Sequence, residues 1–202
     1  MAGTMPHAIF IETNLHSGGA VAAYAAELPG CAVFAASDLE AVAAMPRRAA
    51  AFTAWLRANG EEAPEFIGDN WYEVERAAAA ADRRAAFSLD ELPPSAAEFA
   101  AFLRWLELAR EELADAIDAA AQPQTDDGLL AVPRQDMAFA AVLGHAPEQP
   151  DGEPLGRLYA ARDALTAALE AAGSTADGVR RILRIAIADD LALAQRLRGG
   201  PR

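Results

Sequence analysis

The N-terminal third of the chain alternates short apolar runs with turn residues. Ala8–Ile11 and Ala20–Ala26 are apolar and are split by Ser17-Gly18-Gly19. A third run, Cys31–Ala36, follows Glu27-Leu28-Pro29-Gly30. Runs of this length bounded by Gly and Pro predict three strands, joined by a turn and a Pro-Gly bend. Ser37-Asp38-Leu39-Glu40 then reads as a capping box. Val42, Met45, Ala49, Phe52 and Leu56 recur at helical spacing, and Asn59-Gly60 supplies the stop. Pro46 falls inside this helix and predicts a kink or a shifted start. Trp71–Glu75 alternates and predicts a fourth strand. The expected order is β-β-β-α-β within residues 1–77. Glu12 is placed at a strand end, and Asp38 and Glu40 at a helix cap.

Residues 78–94 are Ala-rich and then Pro-rich, and read as a linker. Beyond them the period changes to that of helices. Ser95-Ala96-Ala97-Glu98 is a second capping box, opening a helix to about Ala121. Further helices are predicted over Gln135–His145, Pro154–Ala172 and Thr175–Arg198. Each of the long ones carries one apolar stripe: Phe102, Leu106 and Leu113 in the first, Leu158, Tyr159 and Leu165 in the next, Ile182, Leu183 and Ile187 in the last. The expected fold class is therefore α+β, a small β-β-β-α-β domain followed over 95–198 by an all-α four-helix bundle.

Three charged residues interrupt those stripes. Arg110, Arg162 and Asp190 fall where apolar side chains belong. A buried charge is costly unless paired and hydrogen-bonded, so Asp190 is expected to contact Arg110 or Arg162. The same residues are the candidates for a ligand site, a pocket in which one Arg faces a carboxylate or phosphate.

Composition narrows the function. Apolar residues make up 53% of the chain, but 53 of its 202 residues are Ala, which buries little area. The net charge is −13, with 17 Arg and no Lys. No basic run exceeds two adjacent residues, so nucleic acid is not expected as a partner. A basic protein partner suits such a surface better. One Cys precludes an intrachain disulfide, and Cys31 reads as a small buried hydrophobe. Neither a leader nor a membrane-spanning run is visible, so a cytoplasmic location without a membrane partner is the expectation.

The stretch Glu27-Leu28-Pro29-Gly30-Cys31, with the strand and the Ser-x-x-Glu helix after it, resembles the HicB family, whose members include antitoxins. That resemblance implies a partial RNase H-like fold lacking catalytic acids. The segment from Phe102 to Ile117, its Pro-rich lead-in and the ending Val179–Leu197 resemble the DinB-like bundles. That resemblance implies a metal-dependent thiol transferase, its ion held by a His on the second helix and an H-x-x-x-H pair on the fourth. Here those positions fall on His145, Asp189 and Leu193. His145 and Asp189 are thus the only metal candidates, and no metal or other cofactor is expected.

Taken together, the expectation is a non-catalytic binding or regulatory protein that forms a homodimer and recognises a protein partner. The alternatives are a metal- or thiol-dependent transferase of the DinB-like superfamily and an antitoxin-like inhibitor of a small basic toxin.

Overall fold

A computed structural model describes residues 7–15, 19–64, 70–80, 84–120, 127–145, 148 and 150–199. The chain divides into two compact units, Met1–Leu92 and Pro93–Arg202. The fold is mixed α+β, a four-stranded sheet followed by helices.

In the first unit β1 (His7–Leu15), β2 (Ala20–Ala25), β3 (Ala32–Ala35) and β4 (Trp71–Ala78) form a sheet of order β3-β2-β1-β4. The pairs β1–β2 and β2–β3 are antiparallel, and β4 lies parallel to β1. Ser17 and Gly18 of the predicted first turn lie outside the described residues. The second connection closes as expected: Gly30 takes φ of 91° after Pro29, and the Ala25 N–H donates to the Cys31 carbonyl at 3.0 Å. Gly tolerates that left-handed backbone at no steric cost. Helix α1 (Asp38–Ala58) is the crossover that brings β4 back parallel to β1. Its N-cap is Ser37, whose hydroxyl accepts the Glu40 N–H at 3.3 Å. The helix runs through Pro46 with its start unshifted. Ala41, Met45, Ala49, Phe52 and Leu56 are buried on one face, which packs on β2 and β3. Ile9, Ile11 and Ala23 are fully buried on the α1 side of the sheet.

Two expectations change here. The first strand does not stop at Ile11 but continues to Leu15. Glu12 is therefore interior to β1, paired with Ala22 and Ala77, and fully buried. The stretch read as linker also belongs in part to the first unit. Ala85 and Phe87 are buried, and a 3-10 turn over Ser88–Glu91 closes the unit. Phe87 stacks on Phe10 at 4.9 Å between ring centres, and so brings its own apolar surface to the sheet.

The second unit contains α2 (Ala96–Asp118), α3 (Asp127–Val142), α4 (Pro154–Ala172) and α5 (Val179–Leu197) among the described residues. The Ser95–Glu98 capping box is formed, its two backbone N–H groups donating at 3.2 and 2.8 Å. Helix α3 starts well before Gln135 and carries Pro133 within it. Helix α5 starts after Gly178, whose φ of 76° breaks the helical backbone and delays the start from Thr175. α2 packs mainly against α5 and α3 against α4. Leu113, Leu129, Leu158 and Leu193 meet in one apolar cluster. Tyr159 departs from its predicted stripe and is 40% exposed. No helix among the described residues is long and apolar enough to cross a membrane.

Cys31 is fully buried, and that burial pushes its thiol from 9.0 up to about 12, against the pull of Arg48. Its contribution to folding is complete below pH 9 and is lost as pH rises through about 12. At pH 8 the folded chain therefore holds far less thiolate than the unfolded one. A disulfide-exchange reagent at pH 8 is expected to label Cys31 only after denaturant is added. Stoichiometric labelling of the native chain within minutes would contradict this burial.

Candidate functional site

The charged residues in the helical stripes converge. Arg110 on α2 donates from Nε to Asp190 Oδ2 at 3.0 Å and from Nη2 to Asp190 Oδ1 at 3.1 Å. Its Nη2 also donates to Asp136 Oδ2 at 2.8 Å. Arg162 on α4 donates from Nη2 to Asp190 Oδ2 at 2.8 Å. It reaches Asp136 from Nε at 3.1 Å and from Nη2 at 3.3 Å. Each guanidinium thus touches both carboxylates, and each carboxylate touches both guanidiniums. The four charges alternate around a ring and sum to zero. All four residues are at most 3% exposed.

The third nitrogen of each guanidinium is also engaged. Arg110 Nη1 donates to the Leu158 carbonyl of α4 at 2.6 Å. Arg162 Nη1 donates to the Leu106 carbonyl of α2 at 3.0 Å. Leu106 stands four residues before Arg110, and Leu158 four before Arg162. The two bonds are therefore the same bond with the helices exchanged.

That exchange extends through the unit. Shifting α2 by 52 positions places Leu106, Ala109, Arg110, Leu113 and Ala116 on Leu158, Ala161, Arg162, Leu165 and Ala168, all ten of them buried. Shifting α3 by 54 places Leu129, Val132, Asp136, Met137 and Ala140 on Leu183, Ala186, Asp190, Leu191 and Ala194, again all buried. The unit is an internal repeat of two helix pairs, each contributing one Arg and one Asp to the ring. Gln135 and Asp189 occupy equivalent positions, and Gln135 Nε2 donates to Asp189 Oδ2 at 3.0 Å.

Asp136 was not among the residues expected here. A helix starting at Gln135 would put it in the first turn, where an acid is an ordinary surface feature. The repeat was the signal that would have found it.

Burial acts on the ring as a desolvation cost. It pushes the Asp136 carboxyl above its ordinary value, with the like charge of Asp190 adding to it and Arg162 and Arg110 opposing. Burial pulls Arg110 down, but Asp190 and Asp136 outweigh it and hold the guanidinium above its ordinary value. The geometry leaves little for an external anion, because each Arg already faces two carboxylates and a carbonyl.

The metal candidates are not brought together. Asp189 is engaged by Gln135, which lies seven residues before the end of α3, about 10 Å along its axis. His145 lies beyond that end and is exposed. Leu193, at the third position of the implied set, is buried among apolar residues. Among the described residues no group of three His, Cys, Asp or Glu could hold an ion.

A second buried charge belongs to the first unit. Glu12 accepts from the Tyr24 hydroxyl at 2.8 Å and from Arg84 Nε at 3.1 and 3.2 Å. The Ala85 N–H donates to it as well.

The comparisons with known proteins add no relative: no family model, no curated protein and no solved structure matches this chain.

Breaking the ring and replacing it should have opposite consequences. Asp190→Asn leaves two buried guanidiniums facing one carboxylate and is expected to cost about 3–5 kcal/mol in a denaturant melt. Asp136→Asn should cost a similar amount, because it leaves the same two guanidiniums facing one carboxylate. Replacing all four residues together by Met and Leu is expected to be neutral or stabilising. A four-residue replacement less stable than Asp190→Asn would show that the ring does more than neutralise itself.

Proposed function

We propose that this chain is a non-catalytic binding protein, a HicB-like unit joined to a DinB-like bundle whose interior has become structural. The observation that carries this reading is the closed ring of Arg110, Arg162, Asp136 and Asp190. A catalytic or metal-binding core needs groups whose charge is available to a substrate or an ion. Here the four charged groups of the ring satisfy one another and bond helix to helix. The positions where the resemblance places metal ligands hold an exposed His145, an Asp189 bonded to Gln135, and Leu193. Function then falls to surfaces. A net charge of −13 steers basic protein partners toward such surfaces, and β3 and β4 leave two sheet edges through which two copies could pair. A homodimer is part of the proposal.

The test is metal content. The full chain is incubated with zinc or nickel, desalted and analysed for bound ion. Less than about one ion per ten chains is expected, since two ligands that do not meet hold an ion poorly. One ion per chain, lost in both His145→Ala and Asp189→Ala, would overturn the reading in favour of the transferase. Light scattering on the same sample should give twice the chain mass of 21.2 kDa.

A further inference from the structure

One buried charge is neutralised by a different kind of partner. The face of the sheet turned away from α1 carries Phe10 and Glu12 of β1, Tyr24 of β2, Phe34 of β3 and Glu75 of β4. Residues 84–88 cross it. Arg84 reaches Glu12 and Tyr24 through its guanidinium and lies over the Phe34 ring at 5.7 Å. Phe87 is fully buried against Phe10 and Tyr24 at 4.9 and 6.1 Å. Ser88 donates to Glu75 from its N–H at 2.8 Å and from its hydroxyl at 2.6 Å. Four steps of extended chain reach about 13 Å, and the three spacings from β3 to β4 cover about 14 Å. The segment therefore lies as a strap across the strands, and Ala85 and Ser88 direct their N–H groups at the side chains of Glu12 and Glu75.

Without this strap Glu12 would keep the Tyr24 hydroxyl but lose its cation. A carboxylate at 0% exposure in such surroundings is costly. Its demand is specific: a planar cation that can serve a carboxylate and a phenol together while lying on an aromatic face. Guanidinium has that shape, and ammonium does not.

We propose that this face is a binding site for an extended protein segment carrying an arginine and, three residues on, an aromatic ring. Arg84–Phe87 fills it in cis. The occupant is a partner protein of that chemistry, and the strap sets a threshold that it must exceed. Tethering gives the strap an effective concentration on the order of millimolar, so only a tighter or locally concentrated partner displaces it. The acidic surface favours an arginine-bearing segment over an acidic one. This inference rests on the reading of the chain as a binding protein and names its partner class. It stands on the first unit alone, so the bundle's metal content can come out either way without deciding it.

The test uses the full chain and a probe peptide of the strap's own sequence, Arg-Ala-Ala-Phe-Ser-Leu-Asp-Glu, capped at both ends. The acceptor is the Arg84→Ala/Phe87→Ala chain, which empties the face. The peptide is expected to raise the melting temperature of this variant saturably, since a ligand that binds only the folded state stabilises it. Binding to the wild-type chain should be at least about tenfold weaker, because the strap competes. A peptide with Ala in place of Arg should have no effect, nor should the active peptide on a variant that also carries Glu12→Gln. If the double variant shows no melt, Arg84→Ala alone carries the test with methylguanidinium as the probe, because Phe87 still holds the strap over the peptide's path. Failure of the peptide to stabilise the double variant, or of methylguanidinium to stabilise Arg84→Ala where that variant alone is used, overturns the proposal, as does an equal effect from the peptide lacking Arg. Loss of a wild-type dimer in the double variant, with no peptide binding, would assign the face to a second copy of the chain and also overturn it.

Discussion

A charge taken out of water in this chain must be neutralised where it lies, and both units meet that constraint with arginine. The Arg110–Asp190–Arg162–Asp136 ring depends on it most. A carboxylate buried alone would be strongly destabilising, and a single Arg–Asp pair would still leave donors and acceptors unmatched. Four alternating charges satisfy one another, and the spare guanidinium donors go to helix carbonyls at 2.6 and 3.0 Å. Arg suits this and Lys does not: a planar fork can serve two carboxylates and a carbonyl at once. The ring also fixes how the helices meet. Ala-rich surfaces slide past one another at small cost, because they offer few large knobs to lock into holes. Four directional ion pairs in the middle of the unit define one register.

The repeat explains why the ring closes. Two helix pairs carrying Arg on the first helix and Asp on the second supply two positive and two negative charges. Exchanging the pairs maps each carbonyl bond onto its counterpart. It also brings Gln135 against Asp189, its equivalent position. Both resemble contacts across a twofold axis, where like positions must face one another. Within each pair the helices joined in sequence are not the ones that pack most closely, since α2 lies against α5 and α3 against α4. Each half therefore completes its core only with the other.

Much of this was legible in the residues. The order of strands and helix in the first unit follows from apolar run lengths, the Pro29-Gly30 bend and the Ser37 cap. Arg110, Arg162 and Asp190 betrayed themselves as charges on apolar stripes. What escaped had physical reasons. Asp136 hid because a helix read from Gln135 puts it in the first turn, where too little of the stripe precedes it for its period to be read. Glu12 hid because polar Thr13 and Asn14 follow it, and an apolar run ending at Ile11 resembles the end of a strand. Its cation, Arg84, stands 72 residues away, and periodicity carries no information over that distance. The strap hid for a related reason. It is extended rather than periodic, and one aromatic, Phe87, followed by Pro93-Pro94 looks like a spacer.

The two buried clusters differ in what they can do. The ring is built from four helices at once, and no member can leave without exposing the others to an unbalanced charge. Such a cluster is suited to holding a shape. Glu12 instead takes its cation from a short segment that lies on the sheet through side-chain contacts. Lifting that segment would expose Ala85 and Phe87 but leave the paired strands and α1 in place. The charge that remains would attract one class of replacement. The same constraint thus accounts for rigidity in the second unit and, under the proposal, for recognition in the first. A buried charge that is shared among helices stabilises an architecture, whereas a buried charge matched by one short segment is the feature from which the proposed partner takes its chemistry.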